Sequence, residues 1–122
     1  MTNKNGNWVC SYYNSKMIYI YDSLNLKRLH VHHRIYLEKL YPFYLFDKKP
    51  IQFPTVQLQP NSNDCGVFAI AFAVSLLFGL KPNTIKYDHS VMRQHLIKIF
   101  ETNIIEHFPQ DLTYGLPKQV YH

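Results

Sequence analysis

The stretch QPNSNDCGVFAIAFAVSLLFG, residues 59–79, joins a polar turn to an apolar run, with a cysteine at the junction. A thiol attacks or binds metal as its thiolate. The first turn of a helix favours that form, because unpaired N–H groups and the helix dipole stabilise negative charge. Cys65 has this place if the apolar run is helical. Asp64 and Asn63 are of types that cap helices, and Gly66 lets another chain approach closely. Gln59 stands on a turn held by Pro60 and Asn61, from which its amide can fold back and donate to an oxyanion beside the sulfur. Cys65 is therefore a candidate nucleophile and Gln59 a candidate oxyanion donor. A free cysteine is also among the most buried residue types and often inert, so position alone leaves both roles open.

The elements that must position these residues are legible from pattern. Residues 8–13 and 17–21 are rich in aromatic and β-branched side chains and flank the polar triplet Asn14-Ser15-Lys16, which predicts two strands joined by a tight turn. A helix is expected over about residues 26–41, with Val31, Ile35, Leu37, Leu40 and Tyr41 as an imperfect apolar stripe, ended by Pro42. Two prolines in KKPIQFPTVQ suit an edge or irregular strand. Residues 66–78 are apolar at almost every position, which predicts a helix enclosed on all sides and stopped by Gly79. Asp88 is a candidate N-cap for a last helix whose stripe is Met92, His95, Leu96, Ile99, Phe100 and Ile104, ending before Pro109. His95 reads as a satisfied core residue. The order β-β-α-β-α-α indicates an α+β domain over residues 1–108, with residues 109–122 as a loosely held tail.

Composition narrows the classes. The 122 residues suffice for one domain, and 47% hydrophobic content supports a core. The net charge of +5 permits an acidic partner, but the basic residues are scattered. Only Lys27-Arg28 and Lys48-Lys49 are adjacent, so a solvated basic surface is expected rather than a nucleic-acid site. Two cysteines without a Cys-x-x-Cys pair give neither a disulfide framework nor a zinc motif. No signal peptide is read at the N-terminus. The longest apolar run, residues 67–80, would reach about 21 Å as a helix, against about 30 Å of hydrocarbon layer. An intracellular protein without a membrane span, in nucleus or cytoplasm, is the expectation.

QPNSNDCG resembles the nucleophile motif of the ubiquitin-like-protein-specific (SUMO/sentrin) protease family, cysteine peptidases of the papain-like superfamily. That motif has Gln, five intervening residues, then the nucleophilic Cys, which maps onto Gln59 and Cys65. Upstream, the family has a His-Trp pair opening one strand and an Asp-Ser pair closing the next. NWVCSYYNSKMIYIYDS supplies Trp8, Asp22 and Ser23 in matching places. The likeness covers about residues 6–105. It implies a papain-like cysteine-proteinase fold, truncated at its N-terminus, since only six residues precede Asn7. It further implies cleavage after the C-terminal Gly of a ubiquitin-like modifier, needing no cofactor. Asp22 would orient the base, and Trp8 with Gly66 would hold the substrate's Gly-Gly tail.

At the position of the family's catalytic His, however, the chain has Asn7. An amide cannot exchange protons at neutral pH, and general acid–base catalysis is worth typically about 10²–10⁴-fold. A catalytically inactive module that binds a modifier or partner protein is therefore the alternative. A nucleic-acid-binding fragment rests on the charge alone. The run His30, His32 and His33 reads as a solvated helix start that would have to reach back to the thiol, and no spaced Cys or Asp accompanies it as a metal ligand. Cys10 reads as an ordinary strand residue, with a redox partner as the other reading.

Overall fold

In the computed structural model, residues 6–111 are described. Strands β1 (Cys10–Tyr13) and β2 (Ile18–Tyr21) form an antiparallel hairpin, with Cys10 opposite Tyr21 and Tyr13 opposite Ile18. Asn14 makes the turn: its Oδ1 accepts from Lys16 N at 2.9 Å and Met17 N at 2.8 Å, while Ser15 takes a left-handed φ of 77°. A short polar side chain substitutes here for backbone acceptors, as expected of Asn in tight turns. On the other side of β2, Gln52 bridges Tyr19 in parallel, with backbone bonds to Ile18 and Ile20. The proline-flanked segment thus contributes a single bridge to the sheet.

Side chains of the hairpin alternate between two cores, following the period of 2 in a pleated strand. Val9, Ile18 and Ile20 face Leu37 of helix α1 (Val31–Leu40) and Tyr44. Cys10 and Tyr21 face helix α2 (Cys65–Leu77), where Phe68, Ala71 and Phe72 are fully buried. Tyr87, Met92 and Phe108 close this second core. The hairpin is therefore the middle layer between two helices, an α+β arrangement.

Helix α1 starts later than the periodicity predicts. Asp22 accepts from the backbone N–H groups of Leu24 and Leu26, and Asn25 and Lys27 adopt left-handed φ of 52° and 55°. Those conformations are incompatible with a helix, which begins only after His30 caps it by accepting from His32 N at 3.1 Å. The expected stripe is also shifted: Val31, Ile35 and Leu40 are exposed, and the buried pair is His33 with Leu37. These two lie one above the other at a spacing of four.

Helix α2 is not enclosed on all sides. The sheet beside it has two strands and covers one face, so Ile70 and Leu77 remain exposed. Its stop is as expected. Gly79 has φ 75°, its N–H bonds Leu76 O, and Leu80 N–H bonds Ser75 O, a Schellman ending. Asp88 caps a single 3₁₀ turn, His89–Val91, whose first N–H groups include Ser90's; helix α3 (Met92–Thr102) follows directly. Asn103, left-handed at φ 57°, ends α3. Within its expected stripe Met92 is buried, Leu96 and Ile99 pack against the core, and Phe100 and Ile104 are exposed. His95 is half-buried against Phe108, its Nε2 2.8 Å from Glu106 O. Of the tail, residues 109–111 pair with residues 86–88, including Asp111 N to Lys86 O at 2.7 Å. Residues 112–122 lie outside the described residues.

One polar group crosses the second core. Ser75, fully buried on α2, lies 2.6 Å from the Tyr87 hydroxyl and 2.8 Å from His107 Nε2. A buried hydroxyl needs such partners, and burial pushes the Tyr87 phenol up to about 12.

Candidate active site

Cys65 is the first residue of α2, as its place after the polar turn predicts. Asp64 is the N-cap, its carbonyl accepting from Phe68 N at 3.0 Å, yet its side chain makes no capping bond. The carboxylate instead accepts from Asn61 Nδ2 at 2.9 Å and Arg93, and pairs with His89 Nε2 at 2.6 Å. The bond from His89, then those from Asn61 and Arg93, hold the buried Asp64 carboxyl below its usual range. Asn63 does not cap either; its N–H donates to Asn61 Oδ1. The start of α2 is thus clamped to the 3₁₀ turn and α3, which fixes the backbone that carries the thiol.

The four residues expected to act around the sulfur line one cavity of about 290 Å³: Cys65, Gln59, Asp22 and Asn7. The Cys65 thiol is 3.6 Å from Gly6 O. Asn7, buried at the mouth of the hairpin, donates from Nδ2 to Asp22 Oδ1 at 3.3 Å. Asp22 therefore does to an amide what it would do to an imidazole: it orients the side chain. Gln59 is buried and held at both ends of its amide, Oε1 accepting from Ser23 Oγ and Nε2 donating to Asn61 O. The Nε2 group has a second N–H, which is the one available to an oxyanion.

Arg28, His30 and His33 complete another wall of the same cavity. The expectation of a solvated histidine cluster is wrong for His33, which is 3% exposed. It lies one helical turn before Leu37, and tertiary packing of that face against the hairpin buries both. Burial, the largest cause, lowers the His33 pKa below the ordinary 6.5. Its Nε2 is buried without a hydrogen-bond partner. His30 stacks on His32 with ring centroids 5.1 Å apart. Among the described residues, no group of three His, Cys, Asp or Glu side chains is placed to hold a metal ion.

Trp8 and Gly66 belong to a different concavity. Trp8 is 47% exposed, and a Cβ added to Gly66 would lie 3.8 Å from the indole Cδ1. The two border an apolar groove of about 410 Å³ with Ala69, Ile70 and Ala73 of α2. The indole is consequently not a core residue, and the small side chains beneath it leave space for a slim ligand. Cys10 is a free, buried thiol whose pKa burial pushes up to about 11. A thiol so rarely ionised is a core filler, in keeping with the strand-residue reading.

Sequence pattern missed His89 and Arg93 as partners of Asp64. Ser23 stood in the Asp-Ser pair without its bond to Gln59 being foreseen, and His33 was read as part of a solvated helix start. No described helix is long and apolar enough to cross a membrane. No family model, curated protein or solved structure matches the chain.

Proposed function

We propose that the cavity is the active site of a cysteine peptidase or isopeptidase of the ubiquitin-like protease type, with a papain-like fold. Cys65 is the nucleophile, Gln59 the oxyanion donor and Asp22 the orienter, with Asn7 in the place of the base. The bond cleaved follows the C-terminal Gly of a ubiquitin-like modifier, whose Gly-Gly tail runs beneath Trp8 and over Gly66. The observation that supports this reading is convergence: side chains from positions 7, 22, 59 and 65, on four separate segments, line one cavity at a helix start. No cofactor enters the reaction.

A second reading, a modifier-binding module that does not cleave, draws on the Asn7–Asp22 bond, which leaves an amide where proton transfer is needed. Both readings meet one experiment. Asn7→His should raise hydrolysis of a fluorogenic modifier substrate by roughly 10²-fold over the parent chain. The gain should vanish when Cys65→Ala is added and shrink when Asp22→Asn is added, because the imidazole then loses its orienting partner. No cleavage by any folded variant refutes the peptidase. In that case, calorimetric binding that weakens when the modifier loses its last two glycines supports the module.

A further inference from the structure

The cavity has an imidazole that the motif did not account for. His33 reaches it from α1, 32 positions away from Cys65 in sequence, and is almost wholly enclosed. Its Nε2 is buried and has no hydrogen-bond partner. A neutral ring that carries its proton on Nδ1 presents a bare lone pair at Nε2. A buried acceptor left without a donor is costly to the fold. Such a group in a cavity beside a thiol suggests use rather than packing.

We propose that His33 is the proton acceptor for the Cys65 thiol, taking the role that Asn7 cannot fill. The inference rests on the reading of Cys65 as a nucleophile. Nε2 is closed to bulk solvent, so its proton comes from a donor that enters the cavity or borders it. Asp22 and Asn7 from the hairpin side, Arg28 and His30 before α1, and Cys65 of α2 line the same cavity as His33. Asp22 is committed to Asn7 and two backbone N–H groups, which leaves the histidines as the exchangeable bases. Because burial keeps the ring neutral, the proton passes as the sulfur attacks rather than in a resting ion pair. With iodoacetamide, the S–H proton moves to Nε2, the S–C bond forms, the C–I bond breaks and iodide leaves. With an acyl substrate, the carbonyl pair moves to oxygen as sulfur adds. The imidazolium then returns its proton to the leaving amine as the C–N bond breaks.

The test is the pH profile of Cys65 alkylation by iodoacetamide in the full chain, read by peptide mass mapping. A thiol that reacts only as thiolate loses about tenfold in rate per pH unit below its pKa. With a neutral base assisting, the parent rate between pH 7.5 and 6.5 should change by less than about threefold. His33→Gln should restore the steep dependence and lower the rate at pH 6.5. Equal slopes in parent and His33→Gln overturn the proposal. If His33→Gln does not fold by circular dichroism, the parent profile decides, and a tenfold slope there overturns it. The two readings separate cleanly. Hydrolysis by Asn7→His with alkylation indifferent to His33 sinks only the His33 role. A His33-dependent profile without cleavage by any variant sinks only the peptidase.

Discussion

The two cysteines should differ sharply in reactivity, and the structure gives the size of the difference for one of them. Cys10 is enclosed between the hairpin and α2, which pushes its thiol up to about 11. At pH 7 about one molecule in 10⁴ carries the thiolate there, against about 3% for an exposed cysteine near 8.5. Iodoacetamide should therefore modify Cys10 roughly 300-fold more slowly than a reference cysteine peptide. Cys65 borders the cavity, within reach of a small reagent. Brief labelling followed by mass mapping should find the Cys65 peptide modified first, by at least about tenfold. Raising the pH from 7 to 9 should accelerate Cys10 by about 100-fold, since it stays far below its pKa. Labelling of Cys10 as fast as Cys65 at pH 7, or a Cys10 rate indifferent to pH, would refute its burial behind the hairpin and the helix-end setting of Cys65.

Asp64 and His33 both make the fold sensitive to acid. Each has a folded pKa below its unfolded one, so the unfolded chain takes up protons first as pH falls. Stability from His33 should decline below about pH 6.5, and that from Asp64 below about pH 4, in guanidinium midpoints measured across pH. Asp64→Asn should flatten the lower limb and cost about 1–2 kcal/mol at pH 7. That figure is discounted for the 38% and 62% exposure of its partners' side chains, His89 and Arg93. An unchanged lower limb would show that the carboxylate is not held as described. Gly66→Ala places its methyl at ordinary contact distance from Trp8 and should stabilise α2 by about 0.5 kcal/mol. A loss above about 1 kcal/mol in thermal unfolding would mean that the indole sits closer.

Much of the chain's local structure was written in its sequence. The Asn14 turn, the Gly79 stop, the alternation of Ile18 and Ile20 with Tyr19 and Tyr21, and the helix beginning at Cys65 depend on interactions within about four residues. Side-chain type and backbone preference decide such features without help from the rest of the molecule. Cys65 stands first on α2, while Asn7, Asp22 and Gln59 lie outside the strands and helices and line one cavity with it. Partnerships across the fold were not readable in this way. Asp64 looked like a cap because Asp at that spacing usually is one, but His89 and Arg93, 25 and 29 positions on, offered stronger donors. His33 looked solvated because its neighbours are polar, and only the hairpin packed against α1 could bury it beside Leu37. The exposed face of α2 likewise follows from how few strands cover it, a property of the assembled layers that an apolar run cannot reveal. Hydrophobic pattern tells a segment to find cover, and the tertiary structure alone decides which polar groups are enclosed along with it.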